Sequence, residues 1–275
     1  MLLTVDVGNT NVVCAVYDGT TQCAFWRLAT RGDIGAAQYQ SDIVAAAGAH
    51  TEQIHDAIIA SVVPQVTTPL VTAVTAITGV TPLVMGDPQV DLGLQVRIDD
   101  PAQAGDDRLA DAVGAFAHYK APLIVLDFGT ATTLDLVSAD GAYEGGIIAP
   151  GVNLSIEALD RAAAQLPRLA VRPWDDGLPV LGKNTISAME SGIFWGYVGM
   201  IEGLLARLRH DHGEDLTVIA TGGLAGLFAD HVSAISAVDQ DLTVKGLVEI
   251  YARNRDPHHP ARVNQTMPET GEMDA

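Results

Sequence analysis

Basic residues are scarce in this chain of 275 residues. Its 15 lysines and arginines stand against 34 aspartates and glutamates, which gives a formal net charge of −19. Such a surface repels phosphate backbones and anionic lipids, so we expect neither nucleic acid nor a membrane as a partner. A phosphate-bearing ligand would have to be held by local donors and metal ions rather than by the overall field.

Long apolar runs, targeting segments and cysteines are scarce as well. No apolar stretch approaches the ~20 residues that span a bilayer, and no basic segment precedes the first strand. We therefore expect a soluble, cytoplasmic protein. The two cysteines, Cys14 and Cys23, flank a turn at Asp18-Gly19. We expect them to face each other across a hairpin, as packed thiols rather than as a disulfide.

One short motif occurs twice. Val5-Asp-Val-Gly-Asn-Thr10 is matched by Leu126-Asp-Phe-Gly-Thr130, each between two apolar runs. Each copy is typical of two strands joined by a tight glycine turn. Free backbone amides, hydroxyl groups and an aspartate that can hold hydrated Mg²⁺ suit a polyphosphate. One copy alone would more simply be an ordinary hairpin, but two copies predict a nucleotide clamped between two domains.

The pattern along the chain predicts two layered α/β domains followed by a tail. A hydrophobic content of 48% supports well-filled cores. We expect domains over residues 1–118 and 119–254, and a disordered tail over 255–275. The expected strands are three up to about residue 28, then 57–63, 81–85, 123–127, 133–138, 143–149 and 216–220. The expected helices are 38–47, 65–77, 108–119, 153–164 and 185–209.

Gly105-Asp-Asp-Arg108 lies where a loop meets a helix, and it is a candidate for chemistry. An aspartate there is often only a helix cap. In the functional interpretation, Asp107 accepts the proton of an alcohol that attacks a γ-phosphoryl group, and Arg108 binds an anionic substrate. Gly177 to Asn184 nearly matches a Walker A loop, but it ends in asparagine and lacks a preceding strand. We expect it to lead into a helix capped by Asn184 or Thr185.

The helix predicted over 185–209 carries four glycines on one stripe. Gly192, Gly196, Gly199 and Gly203 are spaced four, three and four residues apart. Each glycine costs ~1 kcal/mol against alanine in a helix interior, and a closely packed neighbour would offset that cost. We expect a helix contact here, between domains, between subunits, or within one monomer.

The two hairpin motifs, Asp6 to Asn11 and Asp127 to Thr133, are followed by Thr221-Gly-Gly223. This is the order found in the actin-like ATPase superfamily, which the chain resembles. More narrowly, it resembles the type III pantothenate kinases over about residues 2–254. The further matching stretches are Ser61–Pro64, Gly105–Arg108, Gly145–Gly151, Gln165-Leu-Pro167, Gly182–Thr185, Ser191-Gly192 and Asp241–Leu247.

The resemblance implies two ribonuclease H-like domains with mixed sheets and an ATP cleft between them. It implies phosphorylation of pantothenate, the first step towards coenzyme A, by a homodimer that needs Mg²⁺ and K⁺ or NH₄⁺. Asp127 would hold the monovalent cation, Asp6 would hold Mg²⁺ through water, and Asp107 would be the base. The implied ATP-binding residues are Asp6, Val7, Gly8, Asn9, Thr10, Asn11, Val12, Val13 and Thr130. The implied pantothenate-binding residues are Gly105, Asp106, Asp107, Arg108 and Thr185.

Three positions depart from the family pattern. Asp106 replaces the usual alanine, Asp111 a common asparagine, and Ile98 a frequent tyrosine. We expect Asp106 to add repulsion beside Asp107 and to weaken substrate binding. Two other functions stay open at this point. One is a kinase of the same superfamily with another acceptor, and the other is a nonenzymatic regulator that retains the fold.

Overall fold

Two five-stranded sheets with the same topology form the framework of the protein, as a computed structural model describes it over residues 1–162, 169–175 and 177–255. The predicted tail and the Gln165-Leu-Pro167 stretch lie outside these residues. The first sheet contains β1 (Leu2–Val7), β2 (Asn11–Asp18), β3 (Thr21–Ala29), β4 (Asp56–Ser61) and β5 (Leu83–Val84). The second contains β6 (Leu123–Phe128), β7 (Ala131–Val137), β8 (Tyr143–Pro150), β9 (Thr217–Thr221) and β10 (Ala237–Val238).

The strand orders β3-β2-β1-β4-β5 and β8-β7-β6-β9-β10 make the two sheets equivalent. In each sheet the first three strands of the chain are antiparallel neighbours, and the last two strands pair in parallel. The two registers differ by one residue, because Asp6 lies opposite Val13 whereas Asp127 lies opposite Thr133, so the first turn is one residue longer than the second. The repeated motif is therefore one fold unit used twice, as the sequence predicts.

Helices cover both faces of each sheet. They are α1 (Ala36–Ala47), α2 (Pro64–Thr78), α3 (Asp106–His118), α4 (Val152–Ala162), α5 (Thr185–His212), α6 (Ala225–Phe228) and α7 (Leu242–Arg255). Helices α1 and α2 pack on the outer face of the first sheet, and α4 to α6 pack on the outer face of the second. Between the two sheets lie α3 and α7, in a core to which both sheets contribute.

Strand alternation places the two repeated aspartates on the inner faces of their sheets. In β1, Leu3, Val5 and Val7 enter the outer core, so Asp6 faces the layer of α3 and α7. In β6, Leu126 and Phe128 likewise enter the other outer core, and Asp127 faces inward. Both carboxylates lie near the carboxyl ends of their strands, which is where α/β sheets bind ligands.

The start of α5 confirms the prediction for the Walker-like segment. Asn184 caps the helix by accepting a 3.0 Å hydrogen bond from the Ser187 amide, and the Ser187 hydroxyl accepts from the Asn184 amide in return. The segment is therefore a capping box rather than a phosphate loop.

Two expectations about local structure are wrong. Cys14 lies opposite Trp26 rather than Cys23. Asp18 pairs with Thr21, so the turn lies later than expected, and a one-residue slip between Val16 and Tyr17 shifts the pairing once more and leaves Cys23 in the bulge. Both thiols are free, as expected. The second wrong expectation is that the strand 216–220 is the last element of the second domain, because α6, β10 and α7 follow it. Within the described ranges, no helix is long and apolar enough to cross a membrane.

Candidate active site

The tips of the two repeated hairpins touch. Thr10 Oγ1 and Thr130 Oγ1, one from each turn, lie 2.9 Å apart and share a hydrogen bond. The first turn is closed by the Gly8 amide on the Asn11 carbonyl at 2.9 Å, and the Thr30 hydroxyl donates to the Gly8 carbonyl at 2.6 Å. The two turns thus face one space, as the repeated motif predicts.

Backbone amides at both turns remain available to a ligand. Within the described part of the chain, the amides of Asn9 and Thr10 in the first turn donate to no protein acceptor, and the same holds for Gly129 and Thr130 in the second. Free amides grouped with hydroxyl donors form a site for anions such as phosphate.

A cleft of about 490 Å³ lies beneath the two turns. Four aspartates line it, namely Asp6 and Asp127 from the two sheets and Asp107 and Asp111 from α3. Asp111 accepts a 2.7 Å hydrogen bond from the Thr243 hydroxyl of α7. In contrast, the buried Oδ1 of Asp6 has no hydrogen-bond partner among the described residues. A buried, unpartnered carboxylate oxygen facing further carboxylates fits a cation-binding role.

The electrostatics of the cleft favour the protonated acids in the absence of cations. Burial and the charges of Asp107, Asp127 and Asp106 raise the pKa of Asp6 to about 8. Burial followed by the charges of Asp107 and Asp135 raises the pKa of Asp127 to about 7. Burial also raises the pKa of Asp111 well above its ordinary value. A bound cation would relieve these penalties by neutralising the ionised carboxylates.

The base candidate Asp107 stands at the start of α3. Its Oδ1 accepts a 2.8 Å hydrogen bond from the Arg108 amide. Burial raises the pKa of Asp107, although that hydrogen bond and the Arg108 charge oppose the rise. A carboxylate with a raised pKa accepts protons more readily than an exposed one, which suits a general base.

The glycines of Thr221-Gly222-Gly223 make room for Asp127. Gly222 has φ of +89°, and a Cβ there would lie 2.3 Å from Asp127 Oδ1. Only glycine combines this backbone conformation with such a close approach. The turn after β9 therefore sets the position of the Asp127 carboxylate, in addition to presenting its own backbone to the cleft.

Arg108 is held by a buried partner that the sequence analysis missed. Its Nε and Nη2 donate to Asp135, at 3.0 and 2.5 Å to Oδ1. Asp135 is 1% exposed and also accepts from the Tyr143 and Thr133 hydroxyls at 2.7 and 2.9 Å. A Cβ on Gly146 would meet both members of the pair, at 2.4 and 2.7 Å. The guanidinium is thus fixed through one edge, and its Nη1 makes no hydrogen bond within the described residues.

Most of the predicted site residues come together, and six do not line the cleft. Those lining it are Asp6, Gly8, Asn9, Thr10, Asn11, Val13, Asp107, Asp127 and Thr130. Val7 and Val12 are fully buried in the outer core, so only their backbone is near the turn. Asp106 turns away to accept from the Ser61 amide at 3.3 Å. Gly105, Arg108 and Thr185 also lie outside the lining of the cleft.

Several cleft residues were not predicted. They are Phe25, Arg27, Val62, Asn153, Leu224, Gln240, Thr243 and Val244. Phe25 and Arg27 are two residues apart in β3, so their side chains lie on the same face of the sheet. The face itself was not assigned from the sequence, because a mixed polar strand such as β3 shows no clear apolar side.

Comparisons with known proteins identify the family. A family model described as type III pantothenate kinase matches residues 2–207. A type III pantothenate kinase from Paramagnetospirillum magneticum is 51% identical over 261 residues, which cover 94% of this chain and 99% of the relative. Another, from Caulobacter vibrioides, is 49% identical over 92% of this chain and 98% of its own length.

Solved structures give the fold at lower identity. A Campylobacter jejuni protein described as a Baf family transcriptional activator is similar with a TM-score of 0.59 and 18% identity, over 92% of this chain and 98% of that one. An activator of 2-hydroxyisocaproyl-CoA dehydratase from Clostridium difficile, solved with ADPNP, has a TM-score of 0.53 and 8% identity over 97% and 98%. The fold is that of the actin-like ATPase superfamily, and the chain belongs to the type III pantothenate kinase family.

Proposed function

We propose that Asp107 takes the proton of the primary hydroxyl of pantothenate as that oxygen attacks the γ-phosphoryl group of ATP in line. The protein is an ATP-dependent pantothenate kinase, which catalyses the first step of coenzyme A biosynthesis. The observation that supports the mechanism is the convergence of Asp6, Asp107 and Asp127 on one cleft beneath two turns with free amides. Phosphoryl transfer depends mainly on positioning and charge neutralisation, and this cleft offers both.

The two turns would hold the phosphates. Amides and hydroxyls of residues 8–11 approach from one sheet, and those of Gly129 and Thr130 approach from the other. The hydrogen bond between Thr10 and Thr130 must give way or rearrange where phosphate oxygens enter between the tips. Both sheets would then grip the same triphosphate.

Two cations would complete the site. Asp6 would hold Mg²⁺ through water, and Asp127 would hold K⁺ or NH₄⁺. The fit rests on the unpartnered Asp6 Oδ1 and on the raised pKa of both carboxyl groups. Across the described residues, no three acidic, histidine or cysteine side chains form a ready-made ligand set, so water and phosphate oxygens would supply the remaining ligands. When bound, the cations neutralise the charge of the transferring group.

Pantothenate would bind at the end of the cleft near the start of α3. Arg108, fixed by Asp135, would offer its free Nη1 to the carboxylate of the substrate. Gly105, Asp106 and Thr185 are the other proposed contacts. Ile98 lies against this region, because a Cβ on Gly145 would come within 3.3 Å of its Cγ2.

We further propose that the protein acts in the cytoplasm as a homodimer that packs through α5. Within the described chain, a Cβ on Gly192, Gly196 or Gly199 would have nothing within 4 Å. The glycine stripe therefore does not serve packing inside the monomer, and a second copy of α5 would account for it. Gly196→Ala should shift the protein from dimer to monomer in sedimentation. An unaltered dimer would place the contact elsewhere.

The decisive assay is pantothenate-dependent production of ADP, run in K⁺ and again in Na⁺. Asp107→Asn should remove most of the turnover while ATP affinity and thermal stability stay close to those of the unsubstituted protein. Asp230→Asn, a change of equal charge on the short turn after α6, serves as the control and should keep full turnover. A fully active Asp107→Asn variant would refute the assignment of Asp107 as the general base. Absence of ADP release from the unsubstituted protein would favour a nonenzymatic regulator.

A further inference from the structure

Arg27 stands alone as a cation in a cleft lined by acids. Among the described residues that line the cleft, four are aspartates and Arg27 is the one arginine or lysine. The ligands proposed for this space, ATP and pantothenate, are themselves anions. A basic residue at this position is therefore the natural counter-charge for them.

The arginine is held in place but is not neutralised. Its Cζ lies 4.9 Å from the centre of the Phe25 ring, two residues earlier on the same face of β3. Within the described chain, Arg27 makes no hydrogen bond or ion pair, although acidic residues outnumber basic ones by more than two to one. A cation–π contact orients a guanidinium without using its donors, so all its N–H groups remain available.

Strand register places Arg27 relative to the proposed chemistry. Asp6 pairs with Val13, and Val13 pairs with Arg27, so the three residues form one row across β1, β2 and β3. Two strand spacings put the backbone of Arg27 roughly 10 Å from that of Asp6. Asp107 lies on the other side of Asp6, against Val62 after β4, because a Cβ on Gly105 would contact both residues.

Asp6 therefore lies between the two ends of the cleft. The proposed base, Asp107, lies at one end and Arg27 lies at the other. Val244 of α7 belongs to the core against which Val13 and Phe25 pack at the β3 end, whereas the Arg108–Asp135 pair that we assign to the carboxylate of pantothenate does not line the cleft. In an in-line transfer, the attacking and leaving groups occupy opposite sides of the phosphoryl group.

We propose that Arg27 binds the polyphosphate of the nucleotide on its leaving-group side. The inference rests on the proposed function for the direction of transfer, but nucleotide binding tests it independently of turnover. Arg27 would donate to phosphate oxygens of both ATP and the ADP product, and it would stabilise the charge that develops on ADP.

The experiment compares Arg27→Gln, Arg27→Lys and a charge-matched control, Lys120→Gln, which changes an exposed residue just after the end of α3. Kd is measured for ATP, ADP and adenosine, and the Michaelis constants are measured for ATP and pantothenate. Loss of a charge-assisted hydrogen bond should weaken ATP and ADP binding about 10- to 100-fold in Arg27→Gln. Arg27→Lys should recover part of this affinity. Adenosine binding and the Michaelis constant for pantothenate should stay within about two-fold, as should all values for Lys120→Gln.

Three results would overturn the inference. One is unchanged ATP and ADP affinity in Arg27→Gln. Another is an equal loss of adenosine affinity, which would indicate a general distortion of the cleft. The third is a rise in the Michaelis constant of pantothenate alone, which would assign Arg27 to the substrate carboxylate. If the protein binds ATP through Arg27 but releases no ADP with pantothenate, the role of Arg27 in nucleotide binding stands and the proposed function is refuted. The experiment therefore separates failure of the inference from failure of the proposed function.

Discussion

Replacing Gly246 with alanine should destabilise the protein, because α3 and α7 cross there with their backbones in contact. A Cβ on Gly246 would lie 1.8 Å from the Ala110 carbonyl oxygen and 2.7 Å from its carbon. The facing Gly114 is also too close for a side chain, since its Cβ would lie 2.6 Å from the Leu242 carbonyl oxygen. These neighbours are backbone atoms, so the helices themselves must separate.

The size of the effect follows from two opposing contributions. Overpacking of a tight core costs about 3 kcal/mol at its upper range, and the gain in helix propensity from glycine to alanine returns about 1 kcal/mol. The free energy of unfolding should therefore fall by about 2 kcal/mol, which corresponds to a Tm lower by roughly 4–8 °C. Turnover should fall as well, since α3 carries Asp107 and Asp111.

Urea unfolding and thermal unfolding would measure this change. Gly226→Ala in α6 is the matched control, because a Cβ there has nothing within 4 Å among the described residues. It should be neutral or slightly stabilising. If Gly246→Ala proves as stable as Gly226→Ala, the close crossing of α3 and α7 is not the packing constraint that we describe.

Three further outcomes are expected. Asp6 and Asp127 have pKa values raised to about 8 and about 7, so the folded protein binds their protons more tightly than the unfolded chain. Their stabilising contribution is complete below about pH 4 and lost as the pH rises to about 8. The Tm of cation-free protein should thus fall from pH 5 to pH 9, and Mg²⁺ should reduce the fall; a flat profile would contradict this. Asp135→Asn should cost about 3 kcal/mol in urea unfolding by leaving Arg108 unpaired, and it should raise the Michaelis constant for pantothenate. The exposed pair of Asp140 with Arg97 is the control, and Asp140→Asn should leave the urea unfolding midpoint nearly unchanged. Asp106→Ala should lower the Michaelis constant for pantothenate, and an unchanged or higher value would show that Asp106 does not oppose the substrate.

The repeated hairpins were predictable from the sequence because their information is local. An apolar run, an aspartate and a glycine turn determine both the strand pairing and the sheet face on which Asp6 and Asp127 lie. The features that could not be predicted depend on contacts between residues that are distant in the sequence. Asp135 and Arg108 are 27 residues apart and meet only when α3 packs beside β7. No local pattern reports that pairing.

Helix α7 shows the same limit at a larger scale. Its sequence, Leu242–Arg255, combines a glycine with mixed polar and apolar residues, so its apolar face was not recognised. In the fold it packs between the two sheets and contributes Leu242, Val244, Leu247 and Ile250 to the central core. That residues 119–254 form a separate domain stays a prediction. Helix α7 nevertheless contacts strands β1, β2 and β4 of the first sheet.

That placement of α7 has a consequence for synthesis on the ribosome. The strands that it covers emerge first, yet the helix that shields their inner face is translated more than 180 residues later. At a typical rate of about 5–20 residues per second, the part of the inner surface of β1, β2 and β4 that α7 covers stays open for roughly ten seconds or longer. Nascent chains arrested before residue 242 should therefore be bound by chaperones, and chains extended through Arg255 by a linker long enough to bring α7 out of the exit tunnel should be released.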